Sequence, residues 1–166
     1  SGPPFELVQL HSSHDRTLFK SGSEPLDNYL SQQDSEDIRR RVTACFVALT
    51  PELRTAGFYT LASTSLWLSE LPEHLHKKLP RYPSVPAVRM GRLAVDQDFK
   101  GIGLGGALLA DALDRAIRAE IAAYALVVDA KNDSAAAFYL HHCLIVLPSQ
   151  PMTLFLPLAT ASGFVT

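Results

Sequence analysis

The chain has 166 residues, of which 47% are hydrophobic and 19% charged, with a formal net charge of −2. This composition fits one globular domain with a substantial core and excludes a disordered, collagen-like or disulfide-rich chain. No apolar run approaches the roughly 18 residues of a membrane span, the amino end lacks a basic segment followed by a hydrophobic core, and the only cysteines are Cys45 and Cys143, so a cytoplasmic protein with buried, inert thiols is expected.

In chain order, Phe5-Glu6-Leu7-Val8-Gln9-Leu10 reads as an opening strand. Pro25-Leu26-Asp27-Asn28-Tyr29-Leu30 starts a helix, with proline in the first turn where its missing donor costs nothing. A second, polar helix is predicted over residues 33–41, ending in Arg39-Arg40-Arg41. Strands follow over residues 42–49 and 56–64, joined by a turn carrying Pro51. Residues 71–86 hold Pro72, Pro80, Pro83 and Pro86 around a helical piece at 73–79, which predicts an irregular insertion over a sheet edge.

A mostly apolar strand over residues 87–95 then leads through Asp96 into Lys100-Gly101-Ile102-Gly103-Leu104-Gly105-Gly106. Leu108, Leu109, Ala112, Leu113, Ala116 and Ile117 follow at helical spacing, with charged residues between them. The glycine run therefore sits where a strand hands over to a helix, and glycines there let backbone N–H groups approach a phosphate. Residues 124–130 form a further strand, residues 132–139 begin a helix, and residues 144–147 and 152–156 make a closing pair of strands connected by Pro148-Ser149-Gln150-Pro151. A single domain over residues 1–166 is expected, with its core at about 5–158 and a frayed tail at 159–166.

Three phosphate-binding patterns compete for the glycine run. A P-loop needs Lys-Ser or Lys-Thr closing the run, and here it closes Gly105-Gly106-Ala107. Gly101, Gly103 and Gly106 supply the letters of a dinucleotide fingerprint, but residues 96–100 separate them from the strand and the run lies in mid-chain. The third pattern is Gln or Arg, two residues, Gly, one residue, then Gly or Ala. Lys100-Gly101-Ile102-Gly103-Leu104-Gly105 resembles it with lysine in the first position, which keeps a cation and loses the planar donor fork. That pattern belongs to the GNAT superfamily of acetyl-CoA-dependent N-acetyltransferases. Asn132 through Phe138-Tyr139 is similar to the asparagine-to-tyrosine helix of the same superfamily, although Cys143-Leu144 stand where Gly-Phe is usual.

The order of elements resembles the GNAT fold, an α/β (α+β) architecture with a mixed, mostly antiparallel twisted sheet flanked by helices and splayed central strands that hold the cofactor. Phe19-Lys20-Ser21-Gly22, Leu26-Asp27-Asn28-Tyr29-Leu30, Gly57-Phe58-Tyr59-Thr60-Leu61-Ala62, Arg92-Leu93-Ala94-Val95-Asp96 and Phe138-Tyr139 are similar in order to strings of the toxin acetyltransferases of bacterial toxin-antitoxin modules. The resemblance implies acetyl-CoA as cofactor, aminoacyl-tRNA as acceptor and a ribbon-helix-helix antitoxin as partner, with a homodimer admitted. The alternatives are a general GNAT enzyme acting on a small amine or a peptide amino terminus, and a non-catalytic CoA-binding module.

By the same resemblance, the backbone of Leu93, Ala94 and Val95 pairs with the pantetheine arm, and the N–H of Val95 polarises the thioester carbonyl. Lys100, Gly101, Ile102, Gly103, Leu104, Gly105 and Gly106 receive the pyrophosphate, and Asn132 and Phe138 flank the cofactor. Tyr139 is the general acid for the departing thiolate, its ordinary pKa near 10 keeping it protonated at neutral pH. Asn132 reads equally as a helix cap. No base is evident, with Asp129 and Glu70 the nearest acids, and an aminoacyl ester amine is less basic than lysine, so a fair fraction is already neutral without a strong base. Arg39, Arg40, Arg41, Lys77, Lys78, Arg81, Arg89 and Arg92 are candidates for an RNA-facing stripe, set against a negative net charge. His74 and His76, or His141 and His142, supply too few convergent ligands for a metal, so none is expected.

Overall fold

Seven strands follow one another in the sheet order β1-β2-β3-β4-β5-β7-β6. They belong to a computed structural model that describes residues 5–11, 14, 16–79 and 82–161. The strands are β1 Glu6–Gln9, β2 Ala44–Leu49, β3 Thr55–Trp67, β4 Ser84–Val95, β5 Ala125–Asp129, β6 Ile145–Leu147 and β7 Gln150–Pro157. The helices are α1 Glu24–Asn28, α2 Asp34–Arg39, α3 Glu73–His76, α4 Leu104–Arg118, α5 Asp133–His141 and α6 Leu158–Ala161. Pairing is antiparallel for β1 with β2, β2 with β3, β5 with β7 and β6 with β7, and parallel for β4 with β5, which is the mixed sheet expected.

The chain forms two compact units, Ser1–Ala62 with Gly91–Ala112, and Ser63–Met90 with Leu113–Thr166. In the first, Phe19, Tyr29, Leu30, Cys45, Val47, Leu49, Phe58 and Ala94 form a buried cluster. Phe58 anchors it, edge-on to Phe19 at 5.5 Å and stacked with Tyr29 at 6.3 Å. The amphipathic face of α4 buries Leu104, Leu108, Leu109 and Ala112. Gly57 allows that close approach, since a Cβ there would lie 3.0 Å from both the Ala94 carbonyl and a Leu108 methyl. The two predicted amino-terminal helices are joined by a π-helical turn, Tyr29–Gln33. β2 begins at Ala44 rather than Val42, because the N–H groups of Val42 and Thr43 both donate to the Asp37 carbonyl and close the end of α2.

The second unit is built on Leu66, Leu68, Leu71, Val85, Ala87, Ala125, Val127, Leu147 and Phe155. Leu75 and Leu79 of the proline-rich segment pack against this cluster, so the expected insertion contributes to the core. β4 already starts at Ser84 and includes Pro86, whose carbonyl accepts from Tyr124 N–H at 2.8 Å. A proline in a strand lacks only its donor, and the remaining acceptor is used. The connection between the last strands is shorter than expected, with Gln150 and Pro151 already in β7. Residues 159–161 of the expected frayed tail are helical with Ala161 buried, and residues 162–166 lie outside the described residues.

α5 ends in a motif that resolves the Cys143-Leu144 departure. Leu144 N–H donates to the Tyr139 carbonyl at 3.1 Å and Cys143 N–H to the Leu140 carbonyl at 3.0 Å, with Cys143 at φ 70°. This is a Schellman ending, whose left-handed position glycine normally fills, so cysteine retains the turn at a backbone cost of about 1 kcal/mol. Cys143 is also exposed, contrary to the expected buried thiol, while Cys45 is buried. Replacing Cys143 with glycine should raise stability by about 0.5–1 kcal/mol, or roughly 1–4 °C in the thermal midpoint. An unchanged or lower midpoint would show that the turn carries no strain.

Candidate active site

The first unit contains the glycine loop and the last residues of the strand before it. Asp96 is 1% exposed and directly follows β4. Its carboxylate accepts from the N–H groups of Lys20 and Asp98, both at 2.9 Å, and from Arg54 Nη2 at 3.2 Å. Charge-assisted bonds of this kind offset the desolvation of a buried carboxylate and tie residue 20 to the turn before the loop. Lys100 Nζ donates to the Ser21 carbonyl at 2.5 Å, so the predicted phosphate cation here braces the loop against the same segment.

Gly101 and Gly103 hold φ of 80° and 86°, and a Cβ built on either meets nothing within 4 Å. The glycines answer both a backbone requirement and a need for open space. α4 begins at Leu104, and the Ala107 N–H makes an early helical bond to the Gly103 carbonyl at 3.1 Å. The first amides of a helix lack intrahelical acceptors, so a helix start of this kind can receive an anion. Ile102 is exposed and Leu104 buried, so the first can border a ligand and the second anchors the helix.

β4 pairs with β5 as far as Met90↔Val128 and then continues to Val95. Leu93, Ala94 and Val95 thus lie beyond that pairing. Ala94 buries its side chain in the core, leaving only its backbone for recognition, while Leu93 and Val95 are half-buried.

The second unit contains Tyr139. Asn132 caps α5, its side chain accepting from Ala135 N–H at 2.8 Å, so the capping role holds. Tyr139 is 6% exposed and contacts Phe138 edge-on at 5.2 Å, and Phe138 in turn meets His142 at 4.7 Å. Burial, and secondarily the negative charge of Asp129, push the Tyr139 phenol up to about 12. Desolvation lowers the His142 imidazole, with His141 adding to the effect.

Both sequence-nominated acids fall in one polar chain in this unit. Asp129 accepts from Thr153 Oγ1 at 2.8 Å and from Arg89 Nη1, so both of its oxygens are engaged. Thr153 Oγ1 also approaches Gln150 Oε1 at 3.3 Å, and Gln150 Nε2 donates to Glu70 Oε2 at 2.8 Å. Sequence reasoning missed Thr153, Gln150 and Arg54, because uncharged or isolated polar residues distant in sequence carry no motif.

The predicted basic stripe is largely ion-paired. Arg39 and Arg40 both bridge to Glu36, Lys77 to Glu73 and Arg89 to Asp129. Arg92 lies over the Tyr29 ring at 3.6 Å, and Arg81 lies outside the described residues. Arg41, at φ 60°, closes the end of α2 by donating its N–H to the Ile38 carbonyl. Among the described residues no helix is long and apolar enough to cross a membrane.

Comparison with known proteins fits this geometry. Residues 74–143, which take in the glycine loop and Tyr139, match the model of the acetyltransferase (GNAT) family. A tRNA-acetylating toxin of Mycobacterium tuberculosis is 34% identical over 159 residues, covering 95% of this chain and 94% of its own. A probable toxin TacT of Sinorhizobium fredii is 30% identical over 89% of this chain and 87% of its own. Among solved structures, AtaT in complex with acetyl-methionyl-tRNA superposes with a TM-score of 0.90 at 28% identity, covering 98% of this chain and 99% of that one. A KacT variant gives 0.91 at 27% identity with the same coverage. With a glycine loop of the expected form at the head of α4 and relatives matched over nearly their whole length, the chain belongs to the GNAT family of acetyltransferases.

Proposed function

We propose that the chain moves an acetyl group from acetyl-CoA to the α-amino group of aminoacyl-tRNA, acting in the bacterial cytoplasm as the toxin of a toxin-antitoxin pair with a ribbon-helix-helix antitoxin as its partner. The observation that carries the acetyl-CoA half is the pair of positive-φ glycines, Gly101 and Gly103, opening into free space at the start of α4. When bound, acetyl-CoA supplies an activated thioester. Backbone N–H groups from Gly101 to Gly106 hold its pyrophosphate, the strand backbone at Leu93, Ala94 and Val95 aligns the pantetheine arm, and the Val95 N–H faces the thioester carbonyl. Phe138 and the capped start of α5 at Asn132 border the arm, and Tyr139 delivers a proton to the departing sulfur.

The acceptor half rests on likeness to the tRNA-acetylating toxin of Mycobacterium tuberculosis and to AtaT with acetyl-methionyl-tRNA. Asp129 and Glu70 are both engaged by hydrogen-bond partners, and the low basicity of an aminoacyl ester amine suits a site without a base. The test incubates the protein with labelled acetyl-CoA and a mixture of charged tRNA, polyamines and peptides. Label is expected in RNA and should disappear on deacylation. Label on polyamines or peptides alone would overturn the tRNA acceptor and leave a general N-acetyltransferase.

A further inference from the structure

We propose that Arg92, held against the ring of Tyr29, is the receptor for a phosphate group of the RNA acceptor. This deepens the aminoacyl-tRNA reading and rests on it. The starting observation is how the arginines are used. Arg39 and Arg40 grip Glu36, Arg54 grips Asp96 and Asp98, Arg89 grips Asp129, and Arg118 grips Asp114. Arg92 bridges to no carboxylate among the described residues; its contact is the Tyr29 ring, 3.6 Å from guanidinium carbon to centroid. Asp37 lies near enough to act on the Tyr29 phenol but makes no ion pair with Arg92.

The platform under Arg92 is rigid. Tyr29 is 2% exposed, stacks on the fully buried Phe58 with an interplanar angle of 15°, and opens the π-helical turn. Arg16 braces that turn through Nη1 to the Leu30 carbonyl at 3.1 Å. On β4 the half-buried Arg92 alternates with Met90 and Ala94, both buried, so it interrupts an otherwise apolar row. A leucine or methionine would cover the ring without desolvating a charge. A guanidinium on an aromatic surface keeps its N–H donors directed around the edge of its plane, where they match two oxygens of a phosphate, and the ring fixes its orientation in advance. Arg92 also immediately precedes Leu93, Ala94 and Val95, which places such a phosphate next to the strand assigned to the acyl donor.

The experiment measures tRNA binding by the full chain across a series of salt concentrations, for wild type, Arg92→Met and Arg92→Lys, with an acetyl-CoA titration of each. Arg92→Met should weaken tRNA binding about tenfold and flatten the dependence of log affinity on log salt by about 0.7, one phosphate contact on a single strand. Arg92→Lys should keep the wild-type slope at reduced affinity, because the charge stays while the planar fork is lost. An acetyl-CoA titration like that of wild type serves as the folding control. Equal slopes for wild type and Arg92→Met would overturn the proposal, as would a loss confined to acetyl-CoA, which would assign the guanidinium to the cofactor's phosphates. An Arg92-dependent slope in a protein that acetylates only small amines would sink the aminoacyl reading while sustaining the phosphate receptor; no tRNA binding by wild type would sink both.

Discussion

Tyr139→Phe should lower acetyl transfer by about 10²- to 10⁴-fold, the range that a positioned acid contributes, while leaving the fold and acetyl-CoA affinity intact. The fold should survive because the ring, which the variant keeps, provides the packing edge-on to Phe138. The phenol is pushed up to about 12 by burial and by Asp129, so it keeps its proton throughout the physiological range. The same environment would disfavour a bare thiolate, which brings the proton affinities of donor and acceptor closer together. The raised phenol pKa gives a second readout. A group whose folded pKa is raised contributes its stability in full below pH 10, its ordinary value, and loses it as pH rises toward 12. Wild type should therefore destabilise more steeply than Tyr139→Phe between those values. Wild-type turnover in the variant would return Tyr139 to the core, and parallel alkaline unfolding of the two proteins would show that its phenol is not shielded.

Elements whose chemistry is local were legible in the sequence. The amphipathic run of α4, the glycines before it and the Asn132 cap each declare themselves within a few residues, because helix periodicity, positive φ and capping are short-range requirements. Boundaries shifted where a distant partner decided them. Pro86 lies in a strand because Tyr124, far along the chain, uses its carbonyl, and the Asp37 carbonyl holds Val42 and Thr43 out of β2. Lys100 matches the position of a phosphate ligand in its motif, yet its ammonium sits on the Ser21 carbonyl, a partner 79 residues away that no local pattern announces. The polar chain from Arg89 through Asp129, Thr153 and Gln150 to Glu70 was invisible for the same reason. Cys143 shows the converse: a residue that breaks the family's pattern retains the geometry that the pattern encodes.

Gly103→Glu should weaken acetyl-CoA binding at least 100-fold, close to abolition at ordinary concentrations. Three effects add at this position. A non-glycine residue at φ 86° strains the backbone by about 1–2 kcal/mol and pulls the loop toward another conformation. A side chain would project into the open space above the loop, because a Cβ there meets no protein atom, and that space is the one assigned to the pyrophosphate. A carboxylate at the helix start would also occupy the amides itself and repel the ligand. Gly103→Ala isolates the backbone effect and should cost about 10-fold, while Gly103→Lys keeps the bulk and reverses the charge, and should bind better than the glutamate variant. Calorimetry on the three, with thermal unfolding as the control for folding, separates these contributions. Acetyl-CoA bound as tightly by Gly103→Glu as by wild type would remove the pyrophosphate from this loop, and with it the role assigned to the amides at the head of α4.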